Sequence, residues 1–380
     1  MNICLIFNNL SGKDGRSRLA LGLSKLLKQA NHQVLEITGD EGKIVTGEKP
    51  MLSDHLCYLV NPLKVLLVAW RESKKIASVL DKFRPAVVHF IVESYLLLVP
   101  FLIVRCRFKF KIVLTIHGTY SCPHLFYRGV WKIIYYWLWY FCLNCCAVII
   151  SVSNYTKKHF LSYYPTFWRK VHVVNNGIEL SDIESTMSQQ PSSDRPSKII
   201  FVGEVKYRKG VAQAIEGFNC YLKKGNHRAV FEIIGQYNEQ GDYYRTLRQL
   251  IDQYQLSDKI IFRGVVNEAE KIKAYRESSL LLLLSTNDGF KFEGYGLVYL
   301  EANAYGVPVI GAKNCGAEDA IVDGVSGFLV DPFDIYGVAE KISLVLDKKV
   351  ISRKNCVDWA QKNNLSNCVR QLEEIYLTIS

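Results

Sequence analysis

Apolar runs of strand length alternate with amphipathic stretches of helix length along almost the whole chain. This alternation predicts strands at 2–7, 33–37, 86–90, 111–116, 147–152, 171–174, 198–203, 229–234, 259–263, 280–284 and 307–311. Continuous apolar strands such as residues 280–284 are typical of parallel sheets that helices cover on both faces. The pattern therefore predicts βαβ units and an α/β fold with doubly wound parallel sheets.

Residues 181–197 interrupt this pattern, because they are polar, rich in Ser and Pro, and without apolar periodicity. We therefore predict two Rossmann-like domains, 1–180 and 198–355, joined by a linker at 181–197, which suits a chain of 380 residues. Residues 356–380 are expected to form a C-terminal helix that packs back on the N-terminal domain. A ligand is expected in the cleft that the two domains face, at the carboxyl ends of the strands.

The formal net charge of +11 favours an acidic partner, which could be nucleic acid, an anionic membrane or a phosphorylated small molecule. No segment resembles a helix-turn-helix, a zinc finger or an RNA-binding sheet, so we expect no nucleic-acid partner. The closely spaced Cys142, Cys145 and Cys146 are either buried free thiols in a reducing compartment or part of a metal site. The first residues have the pattern of a strand rather than of a signal peptide, so we expect a cytoplasmic location.

Residues 131–150 are nearly uncharged and have about the length of a membrane span. They are dense in Trp and Tyr, which prefer the membrane interface to the hydrocarbon centre, and their last part resembles a short buried strand. Three interpretations stay open: a span, a buried helix that leads into a strand, and a helix that touches the membrane surface. Residues 105–111 alternate basic with apolar side chains, which suits either lipid headgroups or the solvated side of a strand start.

A glycine-rich loop connects the strand at 280–284 to a helix predicted over 297–305. Gly296 lets the backbone turn tightly and approach a ligand closely. The N–H groups at the start of this helix, on Gly296, Leu297 and Val298, carry partial positive charge. The helix start is therefore a candidate phosphate site.

Two carboxylates flank this helix start. Glu293 lies on the loop, and Glu301 follows eight positions later in the second helical turn. One carboxylate could hold the hydroxyls of one part of a ligand and the other those of another part, with phosphates between them. A nucleotide sugar has this layout of sugar, diphosphate and ribose. The alternative is that Glu293 caps the helix and Glu301 lies on a solvated face.

Two further candidates follow strands of the predicted sheets. Arg208 and Lys209 lie in a basic turn after residues 198–203. A fixed cation there would stabilise a leaving group that gains negative charge, although an ordinary basic surface turn has the same composition. His117 ends the strand at 111–116, and its imidazole either hydrogen-bonds a ligand or satisfies a carbonyl of the core.

Residues 293–311, EGYGLVYLEANAYGVPVIG, resemble the E-x7-E signature of retaining glycosyltransferases of the GT-B fold, in particular glycosyltransferase family 4. Six further segments resemble motifs of this family in the same order: GRSRLALGLSKLLKQANHQV (15–34), TIHG (115–118), ISVSNYTKKHF (150–160), VVNNGIEL (173–180), FVGEVKYRKGV (201–211) and CGAEDAIVDGVSGFLVDP (315–332). Each segment alone is weak evidence, but the ordered set covers essentially the whole chain. The resemblance implies a GT-B fold and a retaining, metal-independent transfer of a sugar from a UDP- or GDP-sugar to an acceptor hydroxyl.

The resemblance also implies a role for each candidate residue. Glu301 would hold the ribose hydroxyls, and Glu293 would contact hydroxyls of the donor sugar. The implied catalytic residues are Glu293, His117 and Lys209. The implied donor-binding residues are Gly15, Arg208, Gly296, Leu297, Val298 and Glu301. No metal and no cofactor beyond the donor is implied, because the cations and the helix terminus would supply the positive charge.

Four positions depart from the family pattern. Glu204 replaces an arginine, which leaves its role to Arg208 or Lys206. Asn31 replaces a glycine at a helix end, and asparagine tolerates the left-handed conformation that such an end requires. The other two departures each replace a glycine; they are Asp14 and Cys315.

The acceptor site is expected on the first domain, near residues 12–15 and 118–130. The aromatic and basic composition there suggests a lipid-linked or polysaccharide intermediate of bacterial cell-surface glycan synthesis, such as lipopolysaccharide, and a peripheral contact with the inner face of the plasma membrane. Three alternatives stay open: a GT-B epimerase or phosphorylase, a non-catalytic nucleotide-sugar-binding subunit at the membrane, and an NAD-dependent dehydrogenase. The loop at 12–15 lacks the full G-x-G-x-x-G of the last class.

Overall fold

The computed structural model describes residues 1–7, 15–38, 62–180, 197–225 and 228–380. The chain divides into two compact units. The first unit comprises Met1–Glu179 and Leu365–Ser380, and the second comprises Leu180–Asn364. Within the described ranges, each unit is built on a six-stranded sheet. Most of the predicted linker, residues 181–196, lies outside the described residues.

The first unit is a parallel sheet flanked by helices. Its strands are β1 (Asn2–Phe7), β2 (Gln33–Thr38), β3 (Val87–Phe90), β4 (Lys111–Ile116), β5 (Val148–Ser151) and β6 (Val171–Val173). Its described helices before the second unit are α1 (Gly15–Gln29), α2 (Pro62–Phe83), α3 (Val99–Arg105), α4 (Gly129–Cys145) and α5 (Asn154–Tyr163). The strands pair in parallel in the order β2-β1-β3-β4-β5-β6. The continuous apolar strands are buried, as a sheet covered on both faces requires.

The second unit repeats this architecture with a different strand order. Its strands are β7 (Lys198–Val202), β8 (Val230–Ile234), β9 (Ile260–Gly264), β10 (Leu280–Leu283), β11 (Val309–Ala312) and β12 (Gly327–Val330). Its described helices are α6 (Val211–Lys223), α7 (Asp242–Gln253), α8 (Glu268–Glu277), α9 (Leu297–Ala304), α10 (Ala317–Ala320), α11 (Ile335–Leu346) and α12 (Arg353–Lys362). The parallel order is β12-β11-β10-β7-β8-β9, so the direction of chain progression reverses between β7 and β10. The carboxyl ends of strands at such a switch point are where open α/β sheets bind ligands.

The prediction of two Rossmann-like, doubly wound parallel-sheet domains is confirmed, and each predicted strand is present within two residues of its expected ends. The sequence pattern missed β12, which is short and begins with Gly327. A glycine at this place suggests a turn, but the structure needs it for close approach, since a Cβ on Gly327 would lie 2.2 Å from the Val309 carbonyl oxygen of β11.

The C-terminal residues form a helix of the first unit. The single helix predicted over 356–380 is in fact two, α12 and then α13 (Leu365–Ile379). The helical conformation is interrupted between them, and the Leu365 N–H donates to the Ile178 carbonyl oxygen at 2.8 Å. α13 packs on α1 so closely that a Cβ on Gly22 would lie 2.3 Å from the Leu365 side chain.

The segment 131–150 is a helix followed by a strand, α4 and then β5. The inner side chains of α4 are buried, and the Trp139 indole N–H donates to the Ser121 carbonyl oxygen at 3.1 Å. The outer side chains include exposed Ile133 and Trp137, so this helix is buried on one side alone. No helix of the described ranges is long and apolar enough to cross a membrane.

A buried histidine ties α13 to the sheet of the first unit. His89 lies fully buried on β3, where one ring nitrogen is hydrogen-bonded to the Tyr376 hydroxyl and the other to the Thr115 hydroxyl at 2.7 Å. Burial, assisted by His117, lowers the pKa of His89 to about 3. The imidazole is therefore neutral in the folded protein and links three elements that are distant in sequence.

This histidine predicts how the first unit responds to acid. The folded pKa of about 3 lies below the unfolded value of about 6.5, so the stabilisation is complete above about pH 6.5 and is lost as the pH falls toward 3. We expect the protonation of His89 to lower the free energy of unfolding by ~1.4 kcal/mol for each unit by which the pH falls within that range. Urea unfolding, repeated across this pH range, measures the dependence. The free energy of unfolding should change less steeply with pH in His89→Gln than in the unaltered chain. A substitution of the exposed His172 of β6 is the matched control. If the dependence of stability on pH were unchanged in His89→Gln, His89 would not be its source.

Candidate active site

The loop after β7 and the loop after β10 are tied together at the switch point of the second unit. The Thr286 N–H donates to the Arg208 carbonyl oxygen at 2.8 Å. Gly210 adopts a left-handed conformation with φ of 66°, and a Cβ there would lie 1.7 Å from the Leu284 carbonyl oxygen. A side chain at this position would thus overlap with backbone as well as strain it. These contacts fix the basic turn against the loop that carries Glu293.

Three side chains converge on the Glu293 carboxylate. Lys209 Nζ donates to Glu293 Oε2, the Ser285 hydroxyl donates to the same oxygen at 3.2 Å, and Arg208 Nη1 lies 3.8 Å from it. The side chains of Glu293 and Lys209 are only 13% and 17% exposed, so water screens their interaction weakly. The structure thus brings together Glu293, Lys209 and Arg208, which the sequence analysis assigned to one site from two separate motifs.

The charge state of Glu293 follows from these neighbours. Burial by itself would raise the pKa of its carboxyl, but the positive charges of Lys209 and Arg208 outweigh burial and hold the pKa below its usual range. Glu293 is therefore a carboxylate at neutral pH, and its oxygens can accept hydrogen bonds but not donate them. The one negative and two positive charges leave a net positive charge at this place, which favours an anionic ligand.

Glycines shape the helix start beside this carboxylate. Gly296 is the N-cap residue of α9 with φ of 87°, and a Cβ there would lie 2.5 Å from the Tyr299 ring. No side chain caps α9, so Glu293 is not the N-cap that the alternative interpretation required. Leu297 and Val298 form the first turn of α9, as predicted. Gly316 holds the loop from the other side, since its N–H donates to the Glu293 carbonyl oxygen at 2.8 Å.

The second carboxylate of the signature is also held by partners. The Tyr275 hydroxyl donates to Glu301 Oε2 at 2.9 Å, and Lys271 Nζ lies 3.3 Å from the same oxygen. The Tyr275 ring stacks on Tyr305 with an interplanar angle of 9°. Glu301 is only 16% exposed, so it does not lie on a solvated helix face. Both oxygens of a carboxylate accept hydrogen bonds, and one oxygen held in this way orients the other.

The candidates of the first unit have different surroundings. His117 follows β4, and its Nε2–H donates to the Ile91 carbonyl oxygen at 2.8 Å, which matches the alternative in which it satisfies a carbonyl of the core. Its backbone N–H donates to Glu93 Oε1 at 2.5 Å. The catalytic role assigned to His117 stays a prediction that this contact does not support. Gly15 begins α1, but the loop before it, residues 8–14, lies outside the described residues.

Four residues that contact these candidates were not predicted from the sequence: Ser285, Lys271, Tyr275 and Glu93. Lys271 and Tyr275 are spaced i, i+4 on α8 and therefore share a helix face, which is a signal in the sequence. Their partner lies on α9, and only the sheet topology brings these two helices together. Glu93 lies in an apolar stretch after β3, where a fully buried carboxylate was not expected.

The structure explains two departures from the family pattern and describes the surroundings of a third, Cys315. Glu204 pairs with Lys206 at 2.6 Å on the exposed side of the basic turn, whereas Arg208 points to Glu293, so Arg208 is the better replacement for the missing arginine. The prediction that Asn31 tolerates the left-handed conformation is confirmed by its φ of 63°. Cys315 is a buried free thiol whose pKa burial raises to about 12.

All three cysteines near residue 142 are free thiols, and Cys145 is half-buried. Cys142 and Cys146 are fully buried and free, and burial raises the pKa of both. The described ranges contain no group of three or more His, Cys, Asp and Glu side chains that could hold a metal ion.

Two family models match the chain in succession. The model of Glycosyltransferase Family 4 matches residues 14–182, and that of Glycosyl transferases group 1 matches residues 182–363. Together the two models match residues 14–363, so the chain is similar to group 1 and family 4 glycosyltransferases over most of its length. The resemblance found in the sequence motifs is thereby confirmed. The group 1 model covers the segment that carries Arg208, Lys209, Glu293 and Glu301.

Solved structures show the same fold over the whole chain. A glycosyltransferase from Rickettsia africae superposes with a TM-score of 0.74 at 21% identity, covering 100% of this chain and 98% of its own. The Anabaena protein HepE in complex with UDP and glucose superposes with a TM-score of 0.68 at 17% identity, covering 99% of both chains. These likenesses establish the GT-B fold of the chain.

A curated relative is similar over part of the chain. The GDP-mannose-dependent alpha-(1-6)-phosphatidylinositol monomannoside mannosyltransferase of Mycolicibacterium smegmatis is 26% identical over 53% of this chain and 54% of its own. The chain spans 13% to 59% of the length of eight curated relatives that it matches. Activity and substrates are therefore proposed below for this chain rather than transferred from them.

Proposed function

We propose that this chain is a retaining glycosyltransferase that moves a sugar from a UDP- or GDP-sugar to an acceptor hydroxyl. The observation that carries the proposal is the Lys209–Glu293 pair at the switch point of the second unit. It combines a largely buried cation for a leaving diphosphate with a carboxylate that can accept hydrogen bonds from sugar hydroxyls. The start of α9 lies on the same loop and adds partial positive charge.

The nucleotide sugar would bind along α9. Glu301, held by Tyr275 and Lys271, would accept hydrogen bonds from the two ribose hydroxyls. The backbone at Gly296–Val298 would bind diphosphate oxygens, as uncapped helix starts do. The bound UDP of the Anabaena protein and the GDP-mannose dependence of the mycobacterial relative support these two donor classes.

In the transfer step, a bond forms between the acceptor oxygen and the anomeric carbon, and the bond from that carbon to the phosphate oxygen breaks. The proton of the acceptor hydroxyl passes to the departing phosphate oxygen on the same face of the sugar, which retains the configuration. Lys209 and Arg208 would neutralise the charge that the diphosphate gains, so the reaction as proposed is metal-independent. Glu293 would orient the donor sugar through its hydroxyls.

The acceptor is proposed to be a lipid-linked or polysaccharide intermediate of cell-surface glycan synthesis. The mycobacterial relative is a mannosyltransferase for a phosphatidylinositol monomannoside, and a further structural neighbour is a lipopolysaccharide outer core galactosyltransferase. The acceptor would bind the first unit near residues 118–130, where Tyr120 and Phe126 stack with ring centroids 5.7 Å apart.

Calorimetric titration with UDP, GDP and NAD tests the donor site directly. We expect UDP or GDP to bind and NAD not to bind. Glu301→Gln should weaken this binding by about 10- to 100-fold, because hydrogen bonds to a charged group contribute about 1.5–3 kcal/mol. Glu268→Gln is the matched control, since Glu268 also pairs with Lys271, at 2.9 Å, but is 65% exposed. Equal weakening by both substitutions, or no binding of either nucleotide, would refute the assignment of Glu301.

A further inference from the structure

The positive charge of this chain is concentrated in one segment of the first unit. Between Glu93 and Glu179 the sequence contains no Asp or Glu. The same segment contains ten Lys and Arg residues, which are Arg105, Arg107, Lys109, Lys111, Arg128, Lys132, Lys157, Lys158, Arg169 and Lys170. The whole chain has a formal net charge of +11, so this segment carries nearly all of the excess.

The helix α4, in the middle of this segment, is apolar on the side that faces away from the core. Its exposed apolar side chains are Val130, Ile133, Ile134, Trp137 and Phe141. Their spacing of three and four residues places them in one stripe along the helix. Tyr135, Trp139, Cys142 and Leu143 form the opposite, buried stripe. A surface helix normally carries polar side chains on its outer side, so this stripe requires an explanation.

The neighbouring helix α3 extends the apolar surface and leads directly into cations. Ile103 and Val104 at its carboxyl end are 48% and 84% exposed, and α3 packs against α4. The chain then continues through exposed Arg107 and Lys109 toward β4. We define the α3–α4 face as these two residues together with the exposed stripe of α4. Exposed Arg128 and Lys132 border the amino-terminal end of that stripe.

The α4 helix is held firmly beneath this face. Lys170 Nζ donates to the Asn144 and Cys146 carbonyl oxygens at 2.7 Å and 2.8 Å, which caps the carboxyl end of the helix with a cation. The Trp139 indole is anchored to the Ser121 carbonyl oxygen on the buried side. The exposed stripe is therefore displayed on a fixed helix rather than on a loop.

We propose that the α3–α4 face docks on an anionic lipid bilayer, with the apolar stripe in the interface and the flanking cations on the lipid headgroups. The charge at the border of this face decides the occupant, because the exposed cations Arg107, Lys109, Arg128 and Lys132 complement a negative surface and the segment itself contains no Asp or Glu. A second copy of this chain would place the same cations opposite each other, which repels. Tryptophan in the stripe suits the interface, which its amphipathic ring prefers. The proposal concerns the first unit alone and does not depend on the proposed transfer reaction.

Vesicle flotation of the full chain tests this proposal, with phosphatidylcholine vesicles compared with vesicles that also contain phosphatidylglycerol. We expect binding to the anionic vesicles at low salt, weaker binding at high salt, and little binding to phosphatidylcholine alone. Ile133→Ser together with Trp137→Ser should lower the partition coefficient at least about tenfold, because the buried apolar area supplies much of the affinity. Arg107→Glu together with Lys109→Glu should lower it as well and flatten the dependence on salt.

Matched controls lie in the second unit. Val265 and Phe333 are 75% and 65% exposed, so their double Ser variant removes as much exposed apolar surface without touching the α3–α4 face. This control should bind vesicles as the unaltered chain does. Quenching of tryptophan fluorescence by brominated lipids gives an independent readout, and Trp137→Phe, which keeps the stripe apolar, should lose most of the quenching.

Several results would overturn the proposal. These are failure to float with anionic vesicles, equal binding to both vesicle types, and equal loss of binding in the control variant. A protein interface would be indicated instead if the unaltered chain self-associates in sedimentation velocity, the Ser variant of α4 is monomeric, and neither binds vesicles.

Discussion

Replacing Lys209 by alanine is expected to lower turnover of the nucleotide sugar by about 10²- to 10³-fold, the usual effect of removing one preorganised group that stabilises developing negative charge. Lys209 Nζ is a largely buried cation, and the hydrogen bond from the Thr286 N–H to the Arg208 carbonyl oxygen fixes its turn. The departing diphosphate gains charge during the reaction, so the loss should fall mainly on kcat. Steady-state kinetics with the preferred donor measures it.

Two further variants decide whether the cation itself is responsible. Lys206→Ala is the matched control, because Lys206 lies three residues away but is exposed and paired with Glu204. It should leave turnover almost unchanged. In Lys209→Ala the largely buried Glu293 carboxylate also loses its main partner, which alone is destabilising. Adding Glu293→Gln removes that charge. If the double variant regained turnover, the cation would not be what the reaction needs, contrary to our account.

Gly210→Ala is expected to destabilise the second unit and to abolish turnover. The added Cβ would lie 1.7 Å from the Leu284 carbonyl oxygen, and φ of 66° is already unfavourable for alanine. Left-handed strain and overlap in a packed region together cost about 2–5 kcal/mol. The turn must move to relieve the overlap, which displaces the neighbouring Lys209. Urea unfolding and donor kinetics measure the two effects.

Gly324→Ala is the control for Gly210→Ala, because it introduces left-handed backbone strain without steric overlap. Gly324 has φ of 76°, but a Cβ there would meet nothing within 4 Å. We expect this variant to lose only about 1–2 kcal/mol of stability, from left-handed strain alone, and to keep its turnover. Similar losses of stability and turnover in the two variants would show that the contact between Gly210 and Leu284 does not position the basic turn.

The fold could be predicted from the sequence because parallel strands buried on both faces leave a direct pattern. Continuous apolar runs marked the strands from β1 to β11. β12 was not predicted, because Gly327 is needed for a close approach to β11. That contact exists only in the folded sheet and leaves no local pattern in the sequence. The helix interruption before α13 was not predicted for a related reason. The Leu365 N–H donates to the carbonyl oxygen of Ile178, which is far away in sequence.

The site could be predicted in its parts but not in its pairings. The glycine-broken helix start and its two carboxylates are local features, and α9 begins at Leu297 as expected. The ion pair of Lys209 with Glu293 joins residues 84 positions apart, and no local pattern encodes it. The same is true of Tyr275 with Glu301. The partner of His117 could not be predicted either. A histidine at a strand end has the same local sequence whether it hydrogen-bonds a ligand or a backbone carbonyl.

Release of nucleoside diphosphate from a panel of UDP- and GDP-sugars tests directly whether this chain transfers a sugar. We predict slow release from one donor without an acceptor, and loss of that release in Lys209→Ala. Donor binding without any release would contradict transferase activity and favour a nucleotide-sugar-binding subunit. Conversion of a UDP-sugar into another UDP-sugar without release would contradict it equally and favour an epimerase.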